Sequence, residues 1–280
     1  MRAAVTGADG AGRRFAARRL RSSRPRPPRS SALPMALGLF VALTLGAELV
    51  VRALHVAPYV FPPPSAVLAE LAADPLLFVR AAVVTVSEAA AGLALGAALA
   101  LAFATAATHS RRLDQLLTPL VVASQTVPVI ALAPLLVLWM GYGSPPKVVV
   151  CALIAFFPMA VTAREGLRAT DPQLLLLMRS VGASPRDVFW RVRMPFALPY
   201  LAAGARTGIT LSLVGAVVAE WTGADSGLGY LVLSANARLA TAQAFAAIVV
   251  ITAIGLLAYA AAALLERRLC WWTPSQKGSS

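Results

Sequence analysis

The stretch RSVGASPRDVFWRVRMPFALP, Arg179–Pro199, carries four arginines between long apolar runs. Read locally, it is the centre of a short two-helix insert. Asp171 caps a first helix with Pro172 at its first position, and Gly182 ends it with a left-handed residue. Ser184, followed by Pro185 and three positions ahead of Asp187, starts a second helix in the manner of a capping box. That helix is expected to stop near Met194–Pro195. It sets Val188, Phe189, Trp190 and Val192 against Arg186, Arg191 and Arg193, a pattern that suits a headgroup surface. A DNA-reading helix needs a free face that enters a groove, and an insert clamped between two apolar runs offers none.

Composition explains the setting. The chain has 280 residues, 59% of them hydrophobic and only 13% charged, against about 25% charged in an ordinary soluble domain. Six apolar runs, 33–54, 80–107, 116–140, 146–163, 198–219 and 243–265, approach or exceed the length a helix needs to cross a bilayer. Helices are the expected form, since backbone amides have no water partner in hydrocarbon. The net charge of +13 is confined between these runs, which marks orientation rather than a nucleic-acid face.

With the N-terminus inside, segments 1–32, 108–115, 164–197 and 266–280 hold most of the arginines, including six from Arg164 to Arg193. The outside receives only Arg52, Arg80, Lys147 and Arg238. The positive-inside rule therefore puts both termini in the cytoplasm. Residues 1–31 read as a disordered basic tail, uncleaved, because the apolar run after it is longer than a signal h-region. Residues 32–270 form the membrane domain and 271–280 a second tail. Gly92 with Gly96 and Gly204 with Gly208 are small-residue pairs suited to close helix contact. Arg206 is expected to snorkel towards the cytoplasmic side. Cys151 and Cys270 suggest no disulfide framework, and His55 and His109 have no ligand cluster, so no metal site is expected.

The run SVGASPRDVFWRVRMPFALPYLAAGAR resembles the cytoplasmic coupling loop of binding-protein-dependent ABC importer permeases. Gly182 matches the loop glycine, Pro195 and Leu198–Pro199 match its ending, and Gly204–Ala205–Arg206 matches the start of the next span. FPPPSAVLAEL, QTVPVIALAPLLVLWMGYGSPPKV and AEWTGADSGLGYLV are similar to the nitrate, sulfonate and taurine branch, which includes members for the thiamine pyrimidine precursor or riboflavin. The Glu-Ala-Ala that names the loop is missing; Leu176, Leu177 and Met178 stand there. The resemblance implies an all-α integral membrane fold: a six-transmembrane-helix type I ABC importer permease whose cytoplasmic coupling helix-turn-helix occupies 164–197. It also implies a homodimer in the lipid bilayer of a prokaryotic inner membrane, with ABC ATPase subunits and an extracytoplasmic solute-binding protein as partners. ATP and magnesium would be bound by the ATPase and no cofactor by this chain, which has no GxxxxGK[ST] phosphate loop. No nucleic-acid partner is implied.

Arg179, Ser180, Gly182, Ala183, Ser184, Asp187 and Arg191 are accordingly expected to couple to the ATPase. Gln125, Thr126 and Pro128, near the middle of the third span, are candidates for the translocation pathway, because interrupted helices often line transporter paths. Glu220 is a candidate too, as pathway residue, binding-protein contact, partner of a basic side chain, or interface anchor with Trp221. Glu88 poses the same question in the second span. A stand-alone secondary transporter would want such charges at the midplane, and both sit towards the outer surface. No catalytic residues are identified. For substrate, the QTVPVIALAPLLVLW and SANARLATAQAFAAIVV stretches lean towards a thiamine pyrimidine precursor, with nitrate, sulfonate or taurine as the alternative.

Overall fold

A computed structural model describes residues 32–270; the two expected tails, 1–31 and 271–280, lie outside the described residues. The chain divides into two units at Thr44, within the first helix, α1 (Ala32–Ala53). All regular structure among the described residues is helical: α2 (Pro64–Ala73), α3 (Pro75–His109), α4 (Arg111–Ser124), α5 (Val129–Met140) and α6 (Ser144–Arg168) follow in order. Next come α7 (Pro172–Ser180), α8 (Pro185–Val188), a π turn over Phe189–Arg193, α9 (Met194–Glu220), α10 (Leu228–Ala237) and α11 (Thr241–Leu269).

Among the described residues α3, α6, the stretch Pro185–Glu220 ending in α9, and α11 are long and apolar enough to span a membrane. The span expected at 116–140 is not one helix but two, α4 and α5. Pro128 brings no N–H to continue the ladder, and the chain before it tightens into three-residue turns. There the Gln125 and Thr126 amides donate to the carbonyls of Val122 (3.2 Å) and Ala123 (3.1 Å).

The second loop helix also departs from expectation. It does not stop near Met194–Pro195 but runs through the π turn into α9. In an α-helix the Pro195 ring would press on the carbonyl four residues earlier. The widened turn relieves this: the Met194 amide donates to Phe189, five residues back. The loop and the following span are thus one continuous rod.

The bundle is organised around α6, which packs between α3 and α9. In lipid no hydrophobic force drives helices together, so contact depends on how closely backbones can approach. A Cβ on Gly96 would lie 2.8 Å from the Ala152 carbonyl oxygen, and one on Gly92 would run into Cys151. On the other side, Gly208 faces Met159 Sδ and Gly204 faces Thr162. The α6 residues Ala152, Ala155, Ala160 and Ala163 are buried between these surfaces. Towards one end a cluster of Ala104, Leu167, Phe189 and Ala197 seats the loop; towards the other, Phe78, Leu228, Leu231 and Ala247 join α3, α10 and α11.

A methyl group at Gly92 is therefore expected to cost about 1–3 kcal/mol through overpacking. Thermal melting in detergent should show a lower transition for Gly92→Ala. Gly46→Ala in α1, where nothing lies within 4 Å of the added atom, should melt no lower than the parent.

Candidate functional site

The loop is built by two caps that meet at one turn. Asp171 Oδ1 accepts the Gln173 amide (2.8 Å) and opens α7. The helix closes with paired bonds, from the Gly182 amide to the Arg179 carbonyl and from the Ala183 amide to the Met178 carbonyl, both 3.0 Å. This is a Schellman end, and Gly182 at φ 73° is its left-handed residue. Two residues on, Ser184 Oγ accepts the Asp187 amide (3.1 Å) and donates to Asp187 Oδ2 (2.6 Å), while Arg191 reaches Asp187 Oδ1 at 3.3 Å. Ser180 Oγ donates to the Leu177 carbonyl (2.8 Å). The fold thus gathers Arg179, Ser180, Gly182, Ala183, Ser184, Asp187 and Arg191 around a single tight turn.

Phe189 and Val192 bury themselves in the bundle, which fixes the direction the turn faces. Left outside are Leu176, Leu177, Val181 and Trp190, each 58–69% exposed. Nothing lies within 4 Å of where a Gly182 side chain would begin. The residues standing where Glu-Ala-Ala is absent therefore contribute an apolar outer face.

Behind the loop sits an ionic clamp that sequence reading missed. Ser110 caps α4 by accepting the Leu113 amide at 3.3 Å, which places Asp114 in the first turn. Asp114 accepts Arg164 Nε (2.6 Å) and Nη2 (3.1 Å), Arg168 Nη2 (2.8 Å) and Thr118 Oγ1 (3.0 Å). The Arg164 guanidinium, foremost, holds the Asp114 carboxyl well below its ordinary value of 3.8. Through these bonds α4, which leads to the helix break, is tied to the stem of the loop. The SRRLDQ segment gives the cap away in sequence, but not its partners fifty residues on.

At the break itself, Gln125, Thr126 and Pro128 are all exposed on the surface of the single chain. Thr126 Oγ1 donates to the Ala123 carbonyl (2.7 Å), and Gln125 is the C-cap of α4, its backbone amide turned back on the Val122 carbonyl.

Glu220 is elsewhere. Its side chain is 1% exposed and its hydrogen bonds go to α3 and to the start of α10. Thr85 Oγ1 donates to Oε1 (2.7 Å), and the Gly229 and Tyr230 amides donate to Oε2 (2.5 and 3.4 Å). Thr85 in turn accepts the Leu228 amide at 2.8 Å. The carboxylate answers the orphan N–H groups and dipole of α10. Gly227, at φ 110°, leaves room for it, since a Cβ there would collide with the carboxylate. Nearby, Glu88 pairs with Lys147 at 2.6 Å, both almost wholly buried between α3 and α6. Thus Lys147, counted above among outer flanking charges, is an interior residue. Arg206, expected to snorkel towards the cytoplasmic side, pairs with Glu266 of α11 (3.1 Å) and stacks over Tyr259.

Residues 92–270 match the family described as the binding-protein-dependent transport system inner membrane component. The chain belongs to that family. It is 36% identical over 220 residues to the formylaminopyrimidine transport permease protein ThiX of Halalkalibacterium halodurans, covering 78% of this chain and 88% of that one. To the aliphatic sulfonates transport permease protein SsuC of Bacillus subtilis it is 34% identical over 195 residues, 70% and 71% of the two chains. A chain of the inward-facing methionine ABC transporter MetNI superposes with a TM-score of 0.61 at 19% identity, covering 69% of this chain and 96% of that one. The fold is that of a type I ABC permease, and the sequence relatives put the chain in the nitrate, sulfonate and taurine branch. In this family the permease is not an enzyme; ATP hydrolysis belongs to a separate subunit.

The clamp gives the permease an acid-sensitive element. A carboxylate with a depressed folded pKa contributes stability above its unfolded value, and that contribution is lost as pH falls through the folded one. Asp114→Asn should melt at lower temperature than the parent at neutral pH. The gap should narrow as pH falls from about 4 in a melting series; a constant gap would show that the ionised carboxylate is not what matters.

Proposed function

We propose that this permease homodimerises and imports a small organic solute across the cytoplasmic membrane of a prokaryote, with a thiamine-type pyrimidine precursor as the substrate class. The observation that carries the importer reading is the loop: a capped turn with an apolar outer face, rooted by Phe189 and Val192 and continuous with α9. A rigid rod that ends in an exposed docking face converts motion of a partner into motion of a span. The arginine distribution supports a cytoplasmic loop end and cytoplasmic termini. There two ABC ATPase copies, with ATP and magnesium, would dock at Gly182; a solute-binding protein would deliver cargo at the opposite face.

ATP binding would draw the ATPases and their docked loops together and rock the two permease copies, opening the pathway outward; hydrolysis would reset it. The loop and its rod are thus the element through which a distant ligand biases a bistable pair. Gln125 and Thr126 would line the pathway where the two copies face each other. They are neutral hydrogen-bonding groups, and this suits an uncharged heterocycle such as the formylaminopyrimidine for which the 36% identical relative ThiX is named. Glu220 and Glu88 take no part in this reading, since both are committed inside the protein. A sulfonate-type substrate is the second reading, favoured by the 34% relative; its fixed negative charge would call for a cation in the pathway, and the break supplies none.

Two variants test this proposal. Gly182→Trp should insert normally yet fail to co-purify an ATPase, because at φ 73° any side chain strains the turn and the indole, unobstructed within the chain, would project into the partner. Unchanged uptake would remove the coupling assignment. Gln125→Leu should retain the ATPase while lowering uptake of an aminopyrimidine by about tenfold, the scale of one lost hydrogen bond to substrate. Uptake unchanged by that variant would remove Gln125 from the pathway, and taurine uptake in place of aminopyrimidine uptake would select the second reading.

A further inference from the structure

The loop end of the bundle has an unbalanced charge, and the imbalance is local. Arg164 and Arg168 are answered by Asp114, Arg191 by Asp187 and Arg206 by Glu266. Arg179 and Arg193 make no ion pair among the described residues. Three carboxylates at this end are already engaged: Asp114 takes three charged donor contacts and a hydroxyl, Asp171 caps α7, and Asp187 is shared by Ser184 and Arg191, while Glu165 of α6 is exposed and pairs with neither Arg179 nor Arg193. The loop also lacks an acid at Leu176–Met178. Arg111, Arg112 and Arg186 are likewise unpaired but exposed; Arg193 is half-buried, where an unpaired charge is costly.

Arg179 and Arg193 both line one cavity. It measures about 280 Å³ and lies between the end of α3 and the loop turn, with Thr108, His109, Arg179, Ala183, Phe189 and Arg193 in its wall. His109 Nδ1 lies 3.1 Å from the Thr105 carbonyl, which leaves Nε2 for a ligand, and its ring rests on Phe189 at 5.9 Å. Arg179 and Ala183 belong to the Schellman turn, so the cavity borders the face that docking would cover.

We propose that this cavity receives a carboxylate side chain from the ATPase, held by Arg179 and Arg193. This rests on the coupling reading above and specifies the chemistry of the contact. An acidic side chain entering beside the turn could accept hydrogen bonds from both arginines, offset one of their two positive charges and fix the azimuth of the loop in its groove, which the apolar face alone does not. The polarity is thereby permease-cationic and ATPase-anionic.

The test is zero-length cross-linking in the purified transporter complex. Carbodiimide joins an amine to a carboxylate only when the two are in contact, so Arg179→Lys and Arg193→Lys each introduce a reporter amine. The expected result is a new covalent link from position 179 or 193 to an aspartate or glutamate of the phosphate-loop subunit, mapped by mass spectrometry. Arg179→Gln with Arg193→Gln should lower retention of that subunit at least tenfold at 0.5 M salt. Absence of the link in a complex that still forms, and that Gly182→Trp still abolishes, would overturn the carboxylate proposal and leave the coupling reading standing. If Gly182→Trp leaves the complex intact, the coupling reading itself falls and this proposal with it. Phospholipid found by native mass spectrometry in the parent, lost from the double Gln variant and accompanied by no cross-link, would assign the cavity to a lipid phosphate and overturn the proposal.

Discussion

Close approach of α3 and α9 to α6 is the constraint on which everything else rests. Hydrocarbon gives apolar side chains no reason to leave it, so these helices stay together through backbone proximity and the dispersion contacts that proximity allows. Glycines 92, 96, 204 and 208 and the alanines of α6 set that distance. Once α6 is held between its neighbours, its loop end carries Arg164 and Arg168 to Asp114, and its far end carries Lys147 to Glu88. A wider spacing would strand both buried charges at once.

The two ends of the bundle treat charge differently. At the far end, Glu220 and the Glu88–Lys147 pair are sealed within the protein, and they serve to hold the short helix α10 and the α3–α6 contact in place. At the loop end charge is reachable: Arg168 and Arg191 are partly exposed around Asp114 and Asp187, and Arg179 borders a cavity. The first arrangement suits a fixed part, the second a part that meets something.

Much of this was legible in the residues. Both loop caps could be read from Asp171–Pro172, Gly182 and Ser184–x–x–Asp187, because capping is local and its signals lie within four positions of each other. The glycine pairs marked close contacts for the same reason, and the prolines marked the third span as interrupted. What escaped was non-local. Nothing near Glu220 announces Thr85, and nothing near Lys147 announces Glu88, so counting charges by side of the membrane placed Lys147 in water. The continuity of α8 with α9 escaped for a subtler reason: Pro195 is a helix breaker by rule, and only the geometry of the preceding turn shows that one extra residue per turn makes room for it.

The Glu88–Lys147 pair also bears on how the chain is made. Either charge alone, in a helix entering the bilayer singly, carries a penalty on the order of 2.5–3.5 kcal/mol when placed at the centre, less near the edge. The pair is neutral only when α3 and α6 lie together. Since α4 and α5 emerge between them, the ribosome delivers the carboxylate well before the ammonium that answers it. During that interval α3 carries an unmet charge, answered only once α6 brings Lys147 alongside it.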